Sequence, residues 1–181
     1  MPQIRTATAT DISQIAQLEQ LHLADELSSD RGNLQGEGFD IRALTELATK
    51  QQLLVAIEGE EILGYVMAAD WRFYGNRHIY GAIGKQLQRL GGFERSCQYG
   101  PVWVSPAARG TGVFQLLVDA LWPRLAERFS HAVTFIAEDN ERSFAAHTAK
   151  AGMQVLDLFG FEGRDFYLLA RSLNSSNESR S

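Results

Sequence analysis

Apolar and polar residues follow two periods along this chain, about 2 and about 3.6 residues, and the changes between them predict its elements. Residues 3–7 predict a short strand. Thr10 and Asp11 supply helix-start chemistry before an apolar pattern of helical spacing, which predicts a first helix. Residues 22–39 are polar and Gly-rich, and Asp40 then fits the N-cap of a second helix. The apolar positions of that helix are Ile41, Leu44, Leu47 and Ala48.

Two apolar runs follow in the stretch "LLVAIEGEEILGYVMAA", and they predict a tight hairpin because Gly59 and Glu60 separate them. The next segment, residues 71–98, is too long for a simple connection between strands, so it reads as an insertion. It contains an apolar pattern of helical spacing, which predicts a helix. The positions of that pattern are Ile79, Ile83, Leu87 and Leu90.

The second half of the chain predicts a strand followed by a long helix. Val102, Trp103 and Val104 suit a strand that Pro106 ends, and an apolar pattern of helical spacing begins at Val113. A proline inside a helix removes one backbone hydrogen bond. The proline at position 123 is therefore expected to kink this helix or to end its regular part.

The remaining segments predict one more strand, one more helix and a hairpin. The run "HAVTFIA" predicts a buried strand, and Asn140 begins a helix that Gly152 closes as its C-terminal cap. The runs "QVLDLF" and "DFYLLA", separated by "GFEGR", predict the final hairpin. Residues 174–181 form a polar tail that is expected to be disordered.

The order of these elements indicates the fold class. It runs strand, helix, helix, strand, strand, insertion, strand, helix, strand, helix, strand, strand. Hairpins require antiparallel pairing, whereas the two strand-helix-strand units favour parallel neighbours. We therefore expect one domain over residues 1–173, with a mixed α/β (α+β) architecture in which helices flank a central sheet.

Composition narrows the range of functions. With 181 residues, of which 45% are hydrophobic, the chain can bury one sizeable core. A formal net charge of −5 argues against a general affinity for nucleic acid or an anionic membrane and suits cationic small molecules or basic peptides. Cys97 is the single cysteine and the four histidines lack close metal-ligand spacing, so we predict no metal. The absence of a signal peptide or long apolar segment favours a soluble, cytoplasmic protein.

The loop between the strand at 102–104 and the long helix carries the most specific chemistry. Its residues are Arg109, Gly110, Thr111 and Gly112. Backbone N–H groups at a helix start attract anions, glycine lets a phosphate approach closely, and arginine adds a positive charge. The alternative is an ordinary strand-to-helix turn, in which the glycines serve only tight geometry.

This loop resembles a motif of a known family. The stretch "VWVSPAARGTGV" is similar to the acetyl-CoA motif of the GNAT superfamily of N-acetyltransferases, in which Arg or Gln is followed by x-x-Gly-x-Gly/Ala. Arg109 and Gly112 match this motif, and Gly110 is a frequent additional glycine. Phe114 departs from the small residue usual at the end, but the family's loop binds pyrophosphate chiefly through backbone N–H groups.

A second stretch, "NERSFAAHTAKAGM", resembles the family's other cofactor motif. In that motif an Asn is followed seven residues later by a Tyr and then by Gly-Phe. Asn140 matches, His147 stands where the Tyr is expected, and Gly152 arrives one residue late. The late glycine leaves Thr148 as an alternative occupant of the Tyr position.

The resemblance implies a fold, an activity and a set of cofactor-binding residues. The implied fold is a mostly antiparallel sheet of about six to seven strands flanked by helices. The implied activity is direct transfer, in a ternary complex, of an acetyl group from acetyl-CoA to a primary amine of a small molecule or peptide. The implied cofactor-binding residues are Val102, Trp103, Val104, Arg109, Gly110, Thr111, Gly112, Val113, Phe114, Gln115, Asn140 and Ser143.

His147 is the candidate catalytic acid, because imidazole has a pKa of about 6.5 and the resemblance places the family's proton-donating Tyr at this position. The alternative is a packing or surface histidine. No general base is assigned, because Phe135 occupies the position where some members carry a Glu. Glu138 and Asp139 suit solvated carboxylates at a helix start, and a water relay is the other source of a base.

The sequence does not assign a single role to several other aromatic and polar residues. The run "WRFYGNRHIY" suits a wall of the acceptor site, a brace for the insertion, or a contact in a homodimer. Tyr99 could meet substrate, although an aromatic there more often packs in the core. Cys97 without an identified base is expected to be inert. Because the usual Tyr is missing, a non-catalytic acyl-CoA-binding or regulatory domain is the alternative function.

Overall fold

Strands and helices alternate in the order that the sequence predicts. The computed structural model describes residues 1–28, 39–75 and 79–173, and within them it contains seven strands and six α-helices. The strands are β1 (Gln3–Thr6), β2 (Leu53–Glu58), β3 (Glu61–Ala69), β4 (Ser96–Val104), β5 (His131–Ala137), β6 (Gln154–Phe161) and β7 (Arg164–Ser172). The helices are α1 (Ala9–Ser28), α2 (Ile41–Thr49), α3 (Trp71–Tyr74), α4 (Ile79–Leu90), α5 (Val113–Ala126) and α6 (Glu141–Ala149).

All seven strands belong to one sheet in the order β1-β2-β3-β4-β5-β7-β6. Strands β4 and β5 pair in parallel, whereas β1–β2, β2–β3, β5–β7 and β6–β7 pair antiparallel. The predicted class, a mixed and mostly antiparallel sheet flanked by helices, is confirmed. The expectation of parallel neighbours for the second strand-helix-strand unit is wrong. Strand β7 lies between β5 and β6, because its residues Phe166–Ser172 pair along the whole of β5.

Side-chain caps fix the N-terminal ends of helices α1 and α2. Asp40 caps α2, since its Oδ1 accepts a hydrogen bond from the Ala43 N–H at 2.8 Å. Helix α1 begins at Ala9 rather than at Thr10, because Thr8 and Asp11 form a reciprocal capping pair. The Thr8 N–H donates to Asp11 Oδ2 at 2.8 Å, and the Asp11 N–H donates to Thr8 Oγ1 at 3.4 Å.

Three boundaries differ from the sequence-based prediction. Strand β4 starts at Ser96, inside the segment taken as an insertion, so the strand that ends at Val104 is longer than predicted. Helix α5 continues past Pro123 to Ala126, so this proline does not end the helix. The final hairpin also turns more tightly than predicted, at Glu162 and Gly163. The expectation of a disordered tail falls at 174–181, outside the described residues.

The described residues form two compact units, each assembled from two segments of chain. The first contains residues 1–68 and 101–117, and the second contains residues 69–100 and the described chain from Val118 onward. In the first unit helices α1 and α2 are in contact, and they bury side chains such as Ile15 and Leu44. The single-domain organisation over 1–173 stays a prediction.

In the second unit, aromatic residues of the insertion brace strand β4. The indole N–H of Trp71 donates to Ser96 Oγ at 2.9 Å, and the Tyr74 hydroxyl donates to the carbonyl oxygen of Gly100 at 3.2 Å. The Tyr74 ring also stacks on Tyr80, with centroids 4.3 Å apart. Trp71 and Tyr74 therefore contact strand β4, and the three alternatives for the run "WRFYGNRHIY" stay predictions.

Candidate functional site

The loop after β4 has the geometry of a helix-start anion site. A 3₁₀ turn, Pro106–Ala108, follows the strand, and α5 begins at Val113. Between them Gly110 and Gly112 adopt φ values of 79° and 91°, a region that side-chain-bearing residues rarely occupy. Apart from the two chain neighbours of each glycine, no heavy atom of the described residues lies within 4 Å of where a Cβ would stand. The backbone of this loop is therefore open to approach by a ligand.

In the first unit, strand β3 lies unusually close to the C-terminal end of β4. The Ser105 N–H donates to the carbonyl oxygen of Leu63 at 2.8 Å, and a Cβ at Gly64 would lie only 2.6 Å from the carbonyl oxygen of Trp103. The rings of Tyr65 and Trp103 lie 5.7 Å apart. A glycine at position 64 is thus what allows β3 and β4 to approach at Trp103, in the strand predicted to bind cofactor.

Helix α6, in the second unit, carries the other predicted site residues. Asn140 caps this helix, because its Oδ1 accepts a hydrogen bond from the Ser143 N–H at 3.2 Å. The Ser143 hydroxyl oxygen lies 3.3 Å from Nδ1 of His147, one turn further along. The predicted site residues therefore fall into two groups, with residues 102–115 in the first unit and these three in the second.

The His147 side chain is buried, with 5% of its surface exposed, and both ring nitrogens form hydrogen bonds. Nδ1 lies 2.7 Å from the carbonyl oxygen of Ser143, and Nε2 lies 3.2 Å from the hydroxyl oxygen of Tyr99. Burial disfavours the imidazolium and lowers the pKa of His147, although the bond to the Ser143 carbonyl opposes this effect. Burial likewise raises the pKa of the Tyr99 hydroxyl, so at neutral pH the pair is uncharged.

Position 147, rather than position 148, faces β4. Thr148 directs its hydroxyl group along its own helix, where it donates to the carbonyl oxygen of Phe144 at 2.9 Å. His147 instead packs edge-on against the Tyr99 ring, with centroids 5.4 Å apart. The sequence identified His147 and Tyr99 separately and missed their contact, because 48 residues lie between them and no local spacing records the pairing.

The carboxylates near the start of α6 are solvated. Glu138 and Asp139 are exposed, and Asp139 forms an ion pair with Arg164 at 3.5 Å. Phe135 packs against Tyr80 and Phe166, with ring centroids 6.0 Å away in each case, and supplies no carboxylate. Such exposed carboxylates are typical of a helix start.

Cys97 has the properties of an inert thiol. It is fully buried, and burial raises its pKa to about 12, with a further increase from nearby Asp70. The reactive form of cysteine is the thiolate, which is scarce at neutral pH when the pKa is so high. Cys97 is therefore unsuited to form a covalent acyl-enzyme.

No group of three or more His, Cys, Asp or Glu side chains in the described residues is arranged to hold a metal ion. Among the described helices, none combines the length and apolar character needed to cross a bilayer.

A mixed sheet whose central strand leads through a glycine loop into a helix is typical of proteins that bind phosphate-bearing ligands at that loop. The sequence profile of the acetyltransferase (GNAT) family matches residues 16–153, more than half of the chain. The chain belongs to this family. No curated protein sequence matches it.

Solved structures share the fold at low sequence identity. A ribosomal-protein-alanine N-acetyltransferase from Brucella melitensis is 19% identical, with a TM-score of 0.64 over 94% of this chain and 99% of that one. An N-acetyltransferase from Staphylococcus aureus Mu50 is 18% identical, with a TM-score of 0.63 over 96% and 99%. A GNAT superfamily phosphinothricin acetyltransferase from Sinorhizobium meliloti, solved in complex with acetyl-CoA, is 18% identical, with a TM-score of 0.60 over 98% and 91%.

Proposed function

We propose that this protein is an N-acetyltransferase that transfers the acetyl group of acetyl-CoA directly to a primary amine of a small molecule or peptide. Membership of the acetyltransferase family supports acetyl transfer, and the phosphinothricin acetyltransferase that shares the fold was solved with acetyl-CoA. The observation that carries the proposal is the loop at the start of α5. Its two glycines adopt positive φ values and leave the backbone open where a pyrophosphate would bind.

Residues 102–115 supply the proposed cofactor site in the first unit. The exposed guanidinium of Arg109 and the first turn of α5 attract the phosphates, because both present positive charge or partial positive charge. Backbone groups of Val102, Trp103 and Val104 pair with the amide-bearing pantetheine arm, and one backbone N–H stabilises the oxyanion of the tetrahedral intermediate. Asn140 and Ser143, in the second unit, stay cofactor-binding residues predicted from the family motif.

The pKa of the acceptor amine determines which proton transfers must accompany acetyl transfer. A lysine-like amine has a pKa of about 10.4, so at neutral pH it must lose a proton before or during its attack on the acetyl carbon. The departing thiolate must then receive a proton, and His147 is the proposed source. Transfer is direct, because Cys97 is buried with a raised pKa and does not suit a covalent intermediate.

The experiment is an assay of thiol release from acetyl-CoA with a panel of primary amines and peptides. We expect thiol release that depends on both acetyl-CoA and the amine, without a burst of thiol in the absence of amine. A burst equal to the enzyme concentration, in the absence of amine, would indicate an acyl-enzyme and contradict direct transfer.

One observation favours a second function, a non-catalytic acyl-CoA-binding or regulatory domain. Both nitrogens of His147 form hydrogen bonds within the protein, and the usual Tyr is missing. Saturable binding of acetyl-CoA without thiol release on any amine, peptide or protein would favour this function. A homodimer and a cytoplasmic location stay predictions from the sequence.

A further inference from the structure

An acidic side chain lies on the core-facing stripe of helix α1. Ile12 and Ile15 are buried, and Glu19, one turn further on, is buried as well, with 8% of its surface exposed. The spacing of these three positions puts them on one face of the helix. Burial of a carboxylate beside apolar side chains costs free energy unless hydrogen bonds compensate it, so packing alone does not explain Glu19.

Glu19 is connected to strand β4 through one tyrosine of β3. The Tyr65 hydroxyl donates to Oε1 of Glu19. The Tyr65 side chain is fully buried, and its ring packs at a tilt of 32° against the Trp103 ring, with centroids 5.7 Å apart. All three residues belong to the first unit. A hydroxyl that donates to a carboxylate is polarised, so the ring that carries it becomes richer in electrons.

Trp103 is the member of this group that reaches the surface, since its side chain is only half-buried. The ring lies on the α1 side of the sheet, because Tyr65 points to that side, whereas position 64 faces Leu117 of α5 on the other side. The backbone of Trp103 belongs to the strand that we propose binds the acetyl-bearing arm. A group bound on the Trp103 ring is therefore held one side-chain length from that backbone.

We propose that the exposed part of the Trp103 ring is a subsite for a second positive charge of the acceptor. The inference rests on the proposed function. Indole is the aromatic ring that attracts cations most strongly, and Tyr65 and the Glu19 carboxylate lie behind it in the same unit. The preferred acceptor is then a primary amine with an ammonium or guanidinium group a few bonds away, either a diamine or a basic peptide. The formal net charge of −5 suits such an acceptor.

Matched acceptors test the subsite in the full chain, with thiol release from acetyl-CoA as the measurement. Diaminopentane and aminopentanol have the same length, but only diaminopentane carries a second positive charge. The dipeptide amides Ala-Arg and Ala-Gln form the second pair. In at least one pair the charged member should have a kcat/KM about 10-fold higher. The pair that shows this preference tells a small diamine from a peptide as the acceptor.

Variants show which side chains produce the preference. Trp103→Leu removes the aromatic face and should bring the ratio of the two kcat/KM values close to one, whereas Trp103→Phe should keep part of it. Glu19→Gln keeps an oxygen that can accept from Tyr65 and removes the charge, so it should lower the ratio several-fold. Glu61→Gln is the matched control, because it removes an exposed carboxylate at the start of β3 and should keep the wild-type ratio. A general loss of rate or stability affects both acceptors alike and leaves each ratio unchanged.

Binding without turnover is followed in a ¹⁵N spectrum of the labelled chain, with CoA in place of acetyl-CoA. The indole N–H signal that is missing in Trp103→Phe should shift on titration with diaminopentane and stay in place with aminopentanol at equal ionic strength. The indole N–H of Trp71, which donates to Ser96 Oγ at 2.9 Å, is the internal reference.

The outcomes separate the subsite from the proposed function. Equal kcat/KM values within both pairs, or a ratio that Trp103→Leu leaves unchanged, would overturn the subsite while leaving acetyl transfer intact. No thiol release by the wild type on any amine or peptide would overturn the proposed function, and an unshifted Trp103 signal would then overturn the cation site as well. A charge preference that Trp103→Leu loses and Glu61→Gln keeps, together with the shift of the Trp103 signal, would establish the subsite.

Discussion

A Cβ atom at Gly64 would lie 2.6 Å from the carbonyl oxygen of Trp103, a distance that real Cβ contacts essentially never show. The same Cβ would stand 3.2 Å from Cδ1 of Leu117 and 3.4 Å from Cα of Val104. Position 64 thus sets how closely β3 approaches the part of β4 that we propose binds acetyl-CoA. Two of these three neighbours are backbone atoms, so relief requires a shift of the strand itself.

Gly64→Ala should therefore lower both stability and cofactor affinity. Overpacking of this kind costs about 1–3 kcal/mol, and displacement of β4 should weaken acetyl-CoA binding in the variant that remains folded. Chemical denaturation and calorimetry measure the two effects. Gly84→Ala in α4 is the matched control, since outside its own helix backbone no heavy atom of the described residues lies within 4 Å of that Cβ. This variant should gain about 0.5–1 kcal/mol of stability. If Gly64→Ala behaves like the control, the close approach of β3 and β4 is not required.

Gly112→Asp should abolish acetyl-CoA binding while the fold survives. The change places a carboxylate against the phosphates at a position where φ is 91°. Gly163→Asp controls for the backbone cost, because Gly163 also has a positive φ, 78°, and also lies in open space, in the β6–β7 turn. Near wild-type affinity of a folded Gly112→Asp variant in calorimetry would refute the phosphate site.

His147→Ala should lower turnover by about 10²- to 10⁴-fold and leave the affinity for acetyl-CoA within a few-fold. His147→Tyr should recover more activity than His147→Phe, because only tyrosine restores a proton-donating group. Steady-state kinetics of thiol release provide the measurement.

Thr148→Ala is the control for this series, since the Thr148 hydroxyl donates along its own helix to the carbonyl oxygens of Phe144 and Ala145. It should retain activity. If Thr148→Ala lowers turnover and His147→Ala does not, the proton donor is at position 148. Full activity in both would place proton transfer on water or another group.

Asp11→Asn should destabilise the protein by about 1–2 kcal/mol at pH 7, because it weakens the cap of α1. Burial alone would raise the pKa of Asp11, but its bonds to Arg5 and Thr8 outweigh this and hold the pKa below its usual range. A lowered pKa means that the folded chain binds this proton less tightly than the unfolded chain. The contribution of the Asp11 carboxylate to stability is therefore complete above the pKa that Asp11 has in the unfolded chain. It is lost as the pH falls through the pKa that Asp11 has in the folded chain.

Denaturation of wild type and Asp11→Asn between pH 7 and pH 2 checks this dependence. The difference in unfolding free energy should shrink as the pH falls. Glu60→Gln, which removes an exposed carboxylate in the β2–β3 turn, controls for the loss of one negative charge. A difference that stays constant over this range would show that the charge of Asp11 does not stabilise the cap.

The sequence predicted the elements and the glycine loop well, because both depend on neighbours within a few residues. Asp40 caps α2 as predicted, since a cap needs only a side-chain acceptor three residues from its N–H donor. The positive φ values of Gly110 and Gly112 likewise follow from a turn that only glycine adopts easily. The family assignment rests on such local motifs and is confirmed by the matching profile.

The sequence alone determined the order of strands and helices and the glycine-rich composition of the loop, and it predicted that His147 or Thr148 stands where the family usually carries a tyrosine. Only the tertiary structure decided that β7 lies between β5 and β6, that Gly64 meets the carbonyl of Trp103, and that His147 meets Tyr99. These features join residues far apart in the chain. Periodicity, caps and turns report on short stretches, whereas such long-range contacts depend on how whole elements pack their side chains together.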